Sequence, residues 1–287
     1  MMMGALTRIP DGVRVKLRRM RFGMDDEVPS HWVDDSQFIS HFFNALSAIF
    51  PEGEKFFIDS VRFFEGEISD AELRGQIREF ARQEGHHTYQ HRLFNEIITR
   101  QGLPVAVYEQ FVRELLDHGR QQRSEKFQLA MTACLEHLTA LMGGLVLEHP
   151  ELLEGMDPKL RPLWAWHAVE ETEHKAVAFD VYRAVGGSYA MRAYVMLQAT
   201  MLFFSVVHRI QLDMMRRDSE RVRARDVLKG LDYLWGRAGF FRRMVPGYLR
   251  WYKPSFHPWD DDNSSVIEHW KRENARYIES ATEEAAA

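Results

Sequence analysis

Cysteine is almost missing from this 287-residue chain, Cys134 being the only one. A single thiol excludes an intramolecular disulfide framework and a cysteine-based zinc site, and it suits a reducing cytoplasm. Net charge is also small: 37 basic against 42 acidic residues give −5, so no global field draws the chain to nucleic acid or an anionic membrane. Long hydrophobic runs are lacking too. The most apolar stretch, Tyr194 to Val207, has 14 residues and includes Gln198 and Thr200, whereas one bilayer span takes about 20. We read it as a buried helix, with a dimer seam as the alternative. The basic N-terminus, MMMGALTRIPDGVRVKLRRMRF, has no apolar centre and is no secretory signal. These absences point to a soluble, cytoplasmic protein without a transmembrane segment.

Strand-like alternation is nearly absent as well, and what replaces it is helical periodicity from about Ser36 to Tyr252. Glycine and proline fall in clusters between the periodic runs, which predicts an all-α chain with short turns. Ser36 is a plausible N-cap for a first helix that meets Pro51, either as a kink or as the start of a new helix. Ser69-Asp70 opens a helix over about 70–100 that stops at Gly102-Leu103-Pro104, and a shorter one follows over 105–119. A long helix spans about 123–148. Asp157-Pro158 opens the next, which is expected to reach Gly186-Gly187, and an apolar helix covers 188–216. Three regions are expected: an N-terminal extension over 1–35, a metal-binding helical domain over 36–216, and a C-terminal extension over 217–287 packing on it. The tail ATEEAAA is expected to fray.

Two motifs carry the chemistry. Glu84-Gly-His-His87 is followed by His91, and His167 precedes Glu171-Thr-Glu-His174. At about 100° per residue, Glu84 and His87 lie about 60° apart on one helix face, and His91 returns to within about 20° of Glu84. His167, Glu171 and His174 share a stripe in the same way. His86 and Glu173 point elsewhere. A dinuclear site also needs one carboxylate from each of two further helices. Glu54 and Glu136 supply them, 30 and 35 residues before Glu84 and Glu171. In each hairpin both glutamates sit roughly 20 Å from the connecting turn, at a rise of about 1.5 Å per residue, so the candidate ligands are level.

The candidate metal set is therefore Glu54, Glu84, His87, Glu136, His167, Glu171 and His174. His91 is a further ligand or a supporting donor, and Glu170 rivals Glu171 because Glu170 and His174 are an i, i+4 pair. Such a set suits two iron ions, with manganese, a mixed iron–manganese pair or zinc as alternatives. A lone Glu-x-x-His is usually a solvated pair; two with level partners are harder to assign to chance. Cys134 and Thr139, near Glu136 on its helix, are expected to pack, with lining the pocket as the alternative. His257 is expected in a loop near the site without ligating.

The chain resembles the bacterial family of predicted metal-dependent hydrolases of the ferritin-like superfamily. The likeness rests on NALSAIFPEGEKFF (44–57), RQEGHHTYQHR (82–92), EHLTA (136–140), LWAWHAVEETEHKAVAFDVY (163–182) and YKPSFHPWD (252–260). It implies a ferritin-like four-helix bundle with an extra crossover helix and additional C-terminal helices. A narrower resemblance, His167, Glu171 and His174, is to the three-ligand helix of di-iron arylamine N-oxygenases, although His91 gives the first motif a third histidine of its own. On ligand type the expected function is O2-dependent oxidation of a small organic substrate. Hydrolysis by hydroxide generated at the metals is the alternative, and a non-catalytic metal-binding protein is a third reading. The arginine- and aromatic-rich stretch from Arg216 to Lys253 reads as helices packing on the bundle, with peripheral membrane contact or an anionic, lipid-like substrate as the alternative.

Overall fold

The first helix, α1 (Gln37–Arg62), begins where the Ser36 hydroxyl accepts from the Ile39 amide. It runs straight through Pro51. A proline there leaves the carbonyl four residues earlier without its helical donor, and Nδ2 of Asn95 takes that Ser47 carbonyl at 3.2 Å. The neighbouring helix thus repairs the break that the sequence leaves open. A short turn over Glu65–Glu67 leads to α2 (Ala71–Arg100), capped by the Asp70 carboxylate, which accepts from the amides of Glu72 and Leu73. Gly102, at φ +94°, turns the chain just past the end of α2.

The computed structural model describes residues 8–24, 28–275 and 278. The remaining helices are α3 (Val105–Gln122), α4 (Glu125–Glu148), α5 (Arg161–His174), α6 (Val177–Ala184), α7 (Tyr189–Arg217), α8 (Ala224–Trp235), α9 (Phe240–Arg250) and α10 (Ser264–Glu273). No strand occurs among the described residues, only an isolated bridge between Val33 and Met156. The tail after Ile278 lies outside them.

Two hairpins frame the centre. Ser47 of α1 bonds Asn95 of α2, and Glu54, seven residues on, bonds Thr88, seven residues back, as an antiparallel pair requires. In the second pair His174 of α5 approaches Glu136 of α4, while Gly143 further along α4 meets Ala168 and Thr172. A Cβ on Gly143 would lie 2.7 Å from the Ala168 carbonyl oxygen, so this close approach needs glycine. The two hairpins touch through α1 against α4 and α2 against α5.

Two expectations are corrected. The helix opened near Asp157 was expected to reach Gly186-Gly187, yet it starts at Arg161 and breaks after His174. At the break Lys175 turns toward the C-terminal segment, donating to the Asp261 carbonyl at 2.6 Å and to Asn263 at 2.8 Å. The apolar stretch of α7 was read as buried. Both α4 and α7 are long and apolar enough to cross a membrane by length and composition, but the apolar window of α4 is 83% buried and that of α7 only 39%. One face of α7 (Val195, Met196, Ala199, Phe203, Val207) is buried, and the helix packs on α1 and α4. Its other face looks outward.

One hydrophobic cluster extends from Val15 to Phe256 and joins residues of all three regions expected from sequence. Met20 and Phe22 of the N-terminal segment are buried in it, each stabilising by roughly 1.5–3 kcal/mol. That burial anchors Arg18 beside the centre.

Candidate metal centre

The seven side chains singled out from sequence converge between α1, α2, α4 and α5. All are buried: Glu84, His87, Glu136 and His174 have no exposed surface, and none of the seven exceeds 5%. Ligand atoms of Glu54, His87 and His167 lie within 4.8 Å of one another, and so do those of Glu84, Glu171 and His174. Glu171 joins the two groups, its Oε1 standing 2.9 Å from His167 Nε2, 3.5 Å from His87 Nδ1 and 3.6 Å from His174 Nε2. Glu136 Oε2 completes the second group, 3.3 Å from His174 Nε2.

Hydrogen-bond bookkeeping shows which way the imidazoles face. Asn95 donates its amide to the Ser47 carbonyl and to Glu109, so its Oδ1 must accept from the Ser47 hydroxyl at 2.8 Å. The Ser47 oxygen then accepts from His91 Nδ1–H at 2.9 Å. His91 Nε2 is left to accept from His167 Nδ1–H at 2.6 Å. That leaves His167 Nε2 toward Glu171, with which it shares a 2.9 Å hydrogen bond, and toward Glu54 3.9 Å away. His174 follows the same logic: Gln83 donates to the Lys16 carbonyl and to Glu173, and accepts from His174 Nδ1–H at 3.1 Å. Its Nε2 lone pair faces Glu84, Glu136 and Glu171. His87 donates from Nε2 to Glu170 at 3.1 Å, which leaves Nδ1 toward Glu84 and Glu171.

Three imidazole nitrogens thus look into a nest of four carboxylates. Glu54 Oε1, both oxygens of Glu84 and of Glu136, Glu171 Oε2, His87 Nδ1 and His174 Nε2 are buried with no hydrogen-bond partner. Glu84 Oε1 is 3.1 Å from His174 Nε2, yet the angles do not make a hydrogen bond. Buried polar atoms left unpaired are costly, and here they share one space. Burial drives the Glu54, Glu84 and Glu136 carboxyls well above the usual carboxylate range, and pushes His167 down to about 4. Bound cations reverse that logic for the acids, favouring their ionised form, and like burial they favour neutral imidazoles. The donor set fits divalent metal ions.

His91 and Glu170 do not reach the nest. His91 holds His167, and Glu170 holds His87 while accepting from Arg18 at 3.2 Å. Arg18 also clasps Glu173 with two contacts of 2.6 Å, and Lys271 adds a third at 2.8 Å. His86 turns away to the Met20 carbonyl. Cys134 packs against the Arg192 carbonyl, whereas Thr139, expected to be a packing residue, lines a cavity at the centre. His257 is buried against Asp180 at 3.0 Å. Sequence reasoning missed Arg18, Ser47, Gln83, Asn95 and Lys271. Their partners lie far off in sequence; only the position of Gln83, beside Glu84, was a hint.

A cavity of about 50 Å3 opens beside His167 and Glu171. Apart from those two and Thr139, its walls are apolar, including Phe43, Phe50, Met142, Trp164 and Phe240. That volume holds one or two waters or a comparably small molecule.

The sequence model of the predicted metal-dependent hydrolases matches residues 16–262. The chain belongs to this family. Within the matched span lie Arg18, both Glu-x-x-His motifs, Glu54 and Glu136. No curated protein and no solved structure matches the chain.

Proposed function

We propose that the chain holds two divalent metal ions in a ferritin-like arrangement of α1, α2, α4 and α5, and that it hydrolyses a small substrate there. The observation that carries this reading is that ring nitrogens of His87, His167 and His174 and a set of unpartnered carboxylate oxygens face one buried space. The order Glu, Glu-x-x-His, Glu, Glu-x-x-His on successive partners supports the ferritin-like assignment, and the family description supports hydrolysis. Glu54, His87 and His167 would hold one ion, and Glu84, Glu136 and His174 the other, with Glu171 between them. Cations there would supply Lewis acidity and an acidified water for hydrolysis or, if iron, electrons for O2 reduction.

The protein's part is positional. Thr88 fixes Glu54 through a 2.8 Å hydrogen bond, Gln83 fixes His174, and the Ser47–His91 chain fixes His167. Such supports set imidazole orientation and basicity. Burial of the seven side chains keeps bulk water from the nest, which strengthens the electrostatic interactions inside.

O2-dependent oxidation is the second reading, favoured by the apolar lining of a cavity so small. Metal analysis with turnover assays separates the two. Zinc- or manganese-loaded protein that cleaves nitrophenyl esters or phosphates under anaerobic conditions supports hydrolysis. No cleavage with any metal, together with O2 consumption by the Fe(II) protein, would overturn it in favour of oxidation.

A further inference from the structure

The outward face of α7, α8 and α9 is apolar to a degree that a solvated surface does not need. Tyr194, Leu197 and Met201 recur one turn apart on α7, and Met201 is 70% exposed. Leu228, Leu231 and Trp235 repeat the pattern on α8, and Val245 and Leu249 on α9. These stripes are neighbours. The Trp235 ring lies 5.9 Å from Phe204 of α7 and 5.1 Å from Phe241 of α9, and Thr200 of α7 meets the Tyr248 hydroxyl of α9 at 3.0 Å.

The segment that carries α8 and α9 is also basic, although its Arg217, Arg223, Lys229, Arg243 and Arg250 are ion-paired. Between Arg216 and Lys253 eleven basic residues stand against four acidic ones, although the whole chain carries −5. On α9 and just beyond it, exposed Arg242 and Lys253 bracket Val245 and Leu249 on one helical face. Large apolar side chains with cations at their margin match the interfacial zone of a bilayer: the apolar groups enter the headgroup–acyl boundary and the arginines meet anionic headgroups. A second copy is a poorer partner, because a two-fold contact through this face would set the cationic segment against itself. Nucleic acid would leave Met201, Leu228 and Leu249 without an apolar partner.

We propose that the α7–α9 face docks peripherally on an anionic lipid surface. The inference does not rest on the metal reading. The docking helix α9 also carries Phe240, which lines the cavity beside His167 and Glu171.

Flotation of the full chain with vesicles tests this. Phosphatidylcholine vesicles containing about one-third phosphatidylglycerol should carry the protein upward, pure phosphatidylcholine should not, and added salt should release it. Each neutralised cation, in Arg242→Gln or Lys253→Gln, should lower partitioning about fivefold, the equivalent of about 1 kcal/mol per charge. Met201→Glu with Leu249→Glu should abolish flotation. Val107→Glu, an exposed apolar position on α3 (59%), should leave it unchanged. Equal flotation with neutral and anionic vesicles would overturn the proposal. So would no flotation with either, or a solution dimer that Met201→Glu dissociates.

Discussion

Replacing Arg18 with alanine removes the N-terminal side chain that meets Glu170 and Glu173 behind the centre. Glu170 and Glu173 are fully buried and Arg18 itself is only 11% exposed. Glu173 keeps Lys271 at 2.8 Å, but Glu170 loses the cation on its Oε1 and, among the described residues, retains the His87 contact. Breaking one side of a buried ion pair costs about 3–5 kcal/mol. For a chain of this size that corresponds to a fall in melting temperature on the order of 10 °C. A second effect follows through Glu170, which orients His87: loss of such a support lowers metal affinity roughly 10- to 100-fold. Thermal melts of holo-protein and competition with a chelator read the two effects separately. Arg18→Ala combined with Glu170→Gln should recover part of the stability, because the orphaned charge is gone. Stability within about 1 kcal/mol of the parent and unchanged chelator competition would refute the reasoning.

Four further outcomes are expected. His91→Ala, which frees His167 to rotate and change tautomer, should weaken metal retention by about tenfold or more in the same competition assay. Gly143→Ala should push α4 from α5, costing about 1–3 kcal/mol in denaturant unfolding; a neutral result would mean that the 2.7 Å approach relaxes freely. Asp218 accepts from His31 at 2.8 Å and His41 at 2.6 Å; burial pushes its carboxyl up, but these contacts and the Glu220 amide outweigh it and hold the group at about 2. A folded value below the unfolded one of about 3.9 stabilises above that pH and is lost as pH falls toward 2. The stability gap between parent and Asp218→Asn should therefore close as pH falls from about 4 toward 2 in urea titrations. Stripping metal should lower the melting temperature sharply, since four buried carboxylates lose their counter-charge; equal melting with and without chelator would count against a resident metal.

Much of this architecture was legible in the sequence because helical periodicity and the i, i+3 spacing of Glu and His act locally. Ser36, Asp70 and Gly102 mark helix ends through their own side chains or backbone, and the structure uses all three. The break after His174 was not legible: Lys175 and Ala176 carry no turn chemistry, and Lys175 finds its partners at Asp261 and Asn263, some 86 residues away. Pro51 was ambiguous for a related reason. Its helix survives because Asn95, from another element, takes up the Ser47 carbonyl. Site residues follow the same division. The side chains facing the nest announced themselves by spacing, whereas the residues that orient them lie on distant elements with no periodic relation to them.

Anomalous diffraction from crystals of natively purified protein tests the central claim most directly. Two metal peaks about 3.5–4 Å apart are expected, one beside Glu54, His87 and His167 and the other beside Glu84, Glu136 and His174, with Glu171 reaching both. A single peak at the His31, His41 and Asp218 cluster, or none between the four helices, would contradict the account.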